Sequence, residues 1–341
     1  MKIQFHSLSR GMIFVIILAM FIGFGASAAE VSTEPAIIPA ETVAPTEPEE
    51  TVPETEPPKQ YEIDTESELF LACDALAEEL DDYTQILIYD SKTDEILYAR
   101  TNTGDKLYPA SITKLYTCYV ALQHLDPYDI LTAGDELSLV QPGSSKAYIY
   151  KNQRVSVRTV IQGMLLPSGN DAAMILAANA GRRIAGDETL EATEAVNVFV
   201  DEMNRMAEEL GFEGSHFANP DGFHSGAHYT CLKDMARIAK LALEDKTISY
   251  IIRLFEQEVT YTSGQENTWK NTNLYLDPEN SFHRGDAVGM KTGYTKQAGY
   301  SLMSAFRHGK TTLVVGVFGC KDGYNRYRYT NKLLKICYEY I

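Results

Sequence analysis

The chain has 341 residues, 45% of them hydrophobic, enough for one large domain with a substantial core. Its 47 acidic and 30 basic side chains leave a formal charge of −17. That balance excludes the bulk phosphate neutralisation on which nucleic-acid binding depends, so no nucleic-acid partner is expected and function must lie in a localised site.

In chain order, Lys2 and Arg10 precede an almost wholly apolar run from Met12 to Gly25, which ends in Ala26-Ser27-Ala28. Cations, an apolar block and small residues are the pattern of an export signal, assigned to 1–29. Left uncut, the segment would act as a membrane tether, although a run of about 14–17 apolar residues is short for a bilayer span. Residues 30–60 contain seven of the 13 prolines and eight acidic side chains, with no aromatic residue. Such a segment cannot bury enough apolar surface to offset its chain entropy and reads as a semi-extended linker that holds the rest outside the membrane.

The globular part, 61–341, begins with helical apolar spacing over 67–79. Two strands follow, 85–90 and 95–100, around the turn Ser91-Lys92-Thr93-Asp94. Between 111 and 243 the spacing is helical, over 111–125, 156–166, 171–182, 195–210 and 232–243. Strand patterns return at 255–262, 287–292, 299–307 and 311–319, and a closing helix covers 324–340. Strands at both ends around a helical insert predict an α+β domain with one mixed sheet, mainly antiparallel because its last strands are joined by short loops. The five cysteines, Cys73, Cys118, Cys231, Cys320 and Cys337, include no C-x-x-C pair and read as small buried hydrophobes. One bridge among the late ones stays open.

Three short motifs occur once each: Ser111-Ile112-Thr113-Lys114, Ser168-Gly169-Asn170 and Lys291-Thr292-Gly293. Each alone is weak, and Lys114 alone would read as a solvated helix lysine. In this order they form the S-x-x-K, S-x-N and K-T-G set of serine acyl-enzymes that react with β-lactams. Ser111 and Lys114, three apart on a helix, share one face. A serine hydroxyl needs a neighbouring base, and lysine serves only when desolvation or a second cation lowers its pKa; Lys291 is the candidate second cation.

The surrounding residues carry a resemblance: Tyr108-Pro109-Ala110-Ser111-Ile112-Thr113-Lys114, Leu166-Pro167-Ser168-Gly169-Asn170-Asp171-Ala172-Ala173, Gly289-Met290-Lys291-Thr292-Gly293-Tyr294-Thr295 with Ala298-Gly299-Tyr300, Phe217-Ala218-Asn219-Pro220-Asp221-Gly222, and Asn271-Thr272-Asn273. Over 85–320 the chain resembles the serine D-alanyl-D-alanine carboxypeptidases of the low-molecular-weight penicillin-binding class. The resemblance implies the β-lactamase/DD-peptidase fold and removal of the last D-alanine from peptidoglycan stem peptides through an acyl-enzyme. β-Lactams would be covalent inhibitors, and neither cofactor nor metal is implied. Ser111 is then the nucleophile, Lys114 its base, Ser168 a proton relay that also suits a helix N-cap, and Asn170 the residue that holds Lys114 and the substrate amide. Lys291 and Thr292 would bind the terminal carboxylate, Gly293 would let the strand approach, and the N–H groups of Ser111 and Tyr294 would form the oxyanion hole. Two departures stand out. Asp221 replaces the family's usual histidine, and the chain ends soon after its closing helix, without the β-rich C-terminal domain common in the family.

Other chemistries fit less of the pattern. A class A β-lactamase needs a deacylating glutamate in a Glu-x-x-Leu-Asn element, which this chain lacks. His224 and His228, with His216 nearby, have zinc-pair spacing, but Gly222 and Gly226 make the segment a loop, so the three read as surface or structural residues. A non-catalytic sensor of wall peptides would not need the full set of chemical residues.

Overall fold

Alternation along the strands decides the architecture. The computed structural model describes residues 59–80, 83–101, 105–261 and 263–341; the segment read as an export signal and nearly all of that read as a linker lie outside them. The described residues belong to one unit, Thr55–Ile341. Its sheet is formed by β1 (Gln85–Asp90), β2 (Glu95–Arg100), β7 (Ala287–Thr295), β8 (Gly299–His308) and β9 (Thr311–Cys320), in the order β2-β1-β9-β8-β7. All four pairings are antiparallel. The two ends of the domain meet where β1 pairs with β9.

Successive side chains of a strand face opposite ways, so each strand supplies two cores. Ile86, Ile88, Leu302, Phe306, Leu313, Val315 and Val317 pack with α1 (Glu68–Ala77) and α8 (Asn325–Tyr340), through Leu69, Cys73, Tyr327, Leu333 and Cys337. Leu87, Tyr89, Met303, Ala305, Val314 and Phe318 face the larger core. There they meet the helical insert: α2 (Thr113–Leu122), α3 (Val157–Leu165), α4 (Asn170–Ala185), α5 (Ala192–Glu209), α6 (Leu232–Glu244) and α7 (Lys246–Ile251). Each fully buried aliphatic or aromatic side chain contributes roughly 1.5–3 kcal/mol, so the sheet is held from both faces.

Local signals place several boundaries. Ser67 Oγ accepts the Phe70 N–H (3.2 Å) at the start of α1, and Ser156 Oγ accepts that of Thr159 (3.1 Å) at the start of α3. The 91–94 turn closes on Asp90, whose carboxylate accepts from Lys92 N at 2.8 Å.

Two expectations need correction, and one element was not foreseen. Residues 255–262 are strand-like, but β5 (Glu256–Thr260) pairs only with β6 (Glu266–Lys270), as an arm apart from the main sheet. Its residues alternate between exposed and half-buried, and of them only Val259 packs against the larger core. A second small hairpin, β3 (Ile130–Thr132) with β4 (Arg154–Ser156), was too short to signal itself. Ser168 is not a helix cap: the cap of α4 is Gly169, which makes no side-chain bond, and Ser168 precedes it. All five cysteines are buried and unbridged.

Candidate active site

Ser111 sits in a 3-10 turn, Ala110–Ile112, that runs directly into α2. The turn is strained and clasped. Ala110 has φ 49°, in the left-handed region that a Cβ disfavours. Gly222, φ 77°, lies so close that a Cβ there would fall 1.9 Å from the Ala110 carbonyl oxygen; one on Gly293 would lie 2.9 Å from that of Pro109. Only glycines let the 219–222 loop and β7 close on this turn from two sides.

Lys114, one turn further on, is fully buried. Its Nζ donates to Ser111 Oγ (2.8 Å), Asn170 Oδ1 (2.9 Å) and the Asp221 carbonyl (2.7 Å). Burial lowers its pKa from 10.5 to about 8, against the opposing pull of Asp221 and Asp171. Once deprotonated, the amine keeps two hydrogens, which suit the two fixed carbonyl-type acceptors, and its lone pair is left facing the serine hydroxyl. Lys291 is likewise fully buried, and its Nζ donates to the Thr292 carbonyl (2.9 Å). Its pKa lies well below the ordinary lysine value, first through burial, then through repulsion by Lys114 and Arg326. Desolvation is thus what depresses Lys114; Lys291, the expected second cation, is not among the causes.

Ser168, also at positive φ (65°), is 7% exposed. The loop before it is pinned down: Ser145 Oγ donates to the Ser168 carbonyl (2.6 Å), Asn170 N to the Ser145 carbonyl (2.9 Å). Asp171 accepts Ala147 N (2.7 Å) and Ile149 N (3.2 Å). These bonds turn Ser168 and Asn170 inward while α4 starts behind them.

The three motifs meet around a cavity of about 610 Å³ lined by Ser111, Ser168, Asn170, Thr292, Gly293 and Tyr294 among others. Lys114 and Lys291 lie behind its wall. At one end Thr292 Oγ1 and Thr272 Oγ1 share a 2.6 Å hydrogen bond, and Arg326 completes the corner, its Nη1 bonded to the Ser301 (3.0 Å) and Gly293 (3.4 Å) carbonyls. A guanidinium beside two hydroxyls suits a carboxylate. Sequence reasoning gave no role to Arg326, Thr272 or Ser145. Nothing local marks Arg326, which reaches the cavity only because α8 packs under the sheet. β7 is an edge strand, so part of its backbone faces the cavity without a strand partner.

His216 and His228 have structural partners, while His224 lines the Ser111 cavity. His228, buried, accepts Ala218 N at Nδ1 (3.1 Å), which fixes its tautomer so that Nε2–H donates to Thr113 Oγ1 (2.8 Å). Burial lowers its pKa to about 3. His216 Nδ1 bonds the Ala227 carbonyl (2.6 Å), and His224 lies edge-on to Tyr108 with ring centres 4.9 Å apart. Among the described residues no group of three or more metal-ligating side chains converges.

An antiparallel sheet whose edge strand closes on a serine-bearing turn beneath a helical lobe is the DD-peptidase fold. The chain belongs to the D-alanyl-D-alanine carboxypeptidase family, whose model matches residues 75–322. It is 27% identical over 256 residues to D-alanyl-D-alanine carboxypeptidase DacF of Bacillus subtilis, covering 74% of this chain and 61% of that one. With DacA of Escherichia coli it shares 30% over 262 residues, covering 74% and 60%. It therefore spans about 60% of the length of these relatives. The Streptomyces K15 DD-transpeptidase crystal structure superposes with a TM-score of 0.67 at 27% identity, covering 74% of this chain and 96% of that one.

Proposed function

We propose that this chain is an exported serine D-alanyl-D-alanine carboxypeptidase that removes the terminal D-alanine of peptidoglycan stem pentapeptides and is acylated by β-lactams. The observation that carries this is Lys114 Nζ, fully buried, 2.8 Å from Ser111 Oγ and with its pKa lowered to about 8. Neutral Lys114 takes the Ser111 proton as Oγ attacks the carbonyl carbon between the two D-alanines. The Ser111 and Tyr294 N–H groups hold the oxyanion. The C–N bond breaks as a proton passes from Lys114 through Ser168 to the leaving amine. Water, losing its proton to Lys114, then cleaves the ester and restores Ser111. Asn170 fixes Lys114 and receives the substrate amide.

Thr292, Thr272 and Arg326 bind the terminal carboxylate. Lys291 acts by charge from behind the wall, since its burial supports an electrostatic part better than direct contact. In this reading residues 1–29 direct export, 30–60 space the enzyme from the membrane and 61–341 carry the chemistry at the cell-wall face. No helix among the described residues is long and apolar enough to cross a membrane. Mass spectrometry of a pentapeptide incubated with the enzyme should show loss of one D-alanine. Ser111→Ala should neither do this nor be labelled by a fluorescent penicillin; labelling of that variant overturns the assignment.

A further inference from the structure

A second cleft, about 470 Å³, adjoins the cavity of Ser111. Its walls come from Tyr83, the 106–108 segment that leads into the serine turn, the β7–β8 turn and the end of β9. Tyr294, Lys296, Gln297 and Tyr300 line both spaces. Tyr294 and Tyr300 are stacked with ring centres 4.2 Å apart, so the partition between the spaces is an aromatic pair. In a chain of formal charge −17, this cleft is lined by three lysines, Lys106, Lys296 and Lys321, and by no aspartate or glutamate among the described residues. Asp322, next to Lys321, is turned to the start of α8, where it accepts from Tyr324 N (2.8 Å). All three lysines are exposed; Lys106 lies 3.7 Å over the Tyr229 ring and Lys321 5.2 Å over the Tyr83 ring.

The order of residues along β7 gives the cleft a direction. The strand runs from Thr292, at the carboxylate corner, past Gly293 at the serine turn to Thr295, and the turn carrying Lys296 and Gln297 follows. A peptide laid along a strand advances about 3.3 Å per residue. A donor whose terminal carboxylate sits at Thr292 therefore brings its third residue upstream of the scissile bond opposite Thr295, beside Lys296. We propose that the second cleft is a subsite for an acidic residue at that upstream position, its carboxylate held between Lys296 and Lys321 and its backbone against the Tyr294–Tyr300 stack. This rests on the carboxypeptidase reading for its direction, while the charge and shape of the cleft stand without it.

The test uses two donors, L-Ala-γ-D-Glu-L-Lys-D-Ala-D-Ala and its counterpart with the glutamate α-carboxylate converted to carboxamide. Each is offered to the wild type, Lys321→Gln and Lys296→Gln/Lys321→Gln. Wild type should prefer the carboxylate donor in kcat/KM by about fivefold, the upper end for a solvent-exposed charge interaction. Lys321→Gln should reduce that preference, and the double variant should abolish it, the carboxylate donor losing more in kcat/KM than the carboxamide donor. No preference in wild type, or an equal loss on both donors, overturns the subsite. A binding arm separates the two readings: L-Ala-γ-D-Glu-L-Lys and its carboxamide are titrated into each protein and followed by NMR. Carboxylate-dependent binding that needs Lys321, with neither donor cleaved, sinks the carboxypeptidase reading and leaves the subsite standing. Cleavage without such binding or preference does the reverse, and neither binding nor cleavage overturns both.

Discussion

If Lys114 is the base, the acylation rate must follow its deprotonation. An ordinary lysine at 10.5 is neutral in roughly one molecule in 3,000 at pH 7, whereas one lowered to about 8 is neutral in roughly one in ten, about 300 times as many. The second-order rate of labelling by a fluorescent penicillin should therefore rise about tenfold between pH 7 and pH 9 and level off, with a midpoint near 8. The same shift has a cost to the fold with a definite sign. The folded pKa is below the unfolded one, so below pH 8 both states hold the proton and the native state carries the full penalty of a buried ammonium. That penalty is roughly 3 kcal/mol from a shift of 10.5 to about 8. Between pH 8 and 10.5 only the unfolded state stays protonated, and stability gains from Lys114 as pH rises. Lys114→Met should remove both effects: labelling falls by several orders of magnitude while denaturant stability at pH 7 is kept or improved. A wild-type midpoint above 9.5, or a Lys114→Met protein that is still labelled at near the normal rate, would refute the assignment.

Two further substitutions probe the walls of the site. Gly222→Ala introduces a Cβ 1.9 Å from the Ala110 oxygen at φ 77°, so the serine turn must shift; a stability loss of about 2–4 kcal/mol by denaturant titration should accompany strongly slowed acylation. Arg326→Gln removes the cation of the carboxylate corner and should raise KM for a peptide ending in a free carboxylate at least tenfold, yet leave KM for the C-terminally amidated peptide unchanged.

What could be read from the sequence divides along a physical line. Ser111 and Lys114 are three residues apart on one helical face, so their meeting is a local matter and was legible. The sheet was legible because β1, β8 and β9 alternate or run apolar through two cores. Residues 255–262 alternate too, but period two specifies a strand without specifying its partner, and polar side chains on both faces sent this one into a separate arm. The place of Arg326 and Thr272 at the cavity was hidden for the complementary reason: Asn271-Thr272-Asn273 stood out only as part of the resemblance, nothing local marks Arg326, and it is the packing of α8 and the course of the 271–273 segment that bring them there.

Lys291 shows how burial changes chemistry that a motif seems to fix. As a residue type in Lys-Thr-Gly it invites a direct ion pair with the substrate, yet its ammonium is wholly enclosed and bonded to the next residue's carbonyl. Two enclosed lysines and a half-buried arginine leave this end of the cavity short of negative charge, and Asp171 and Asp221 offset only part of that. A carboxylate bound at Thr292, Thr272 and Arg326 would meet this positive charge at the corner. Release of a proton from Lys114, which prepares it as a base, reduces that charge from behind. Burial, not Lys291, sets the Lys114 pKa, so removing Lys291 should weaken carboxylate binding while the Lys114 midpoint stays near 8.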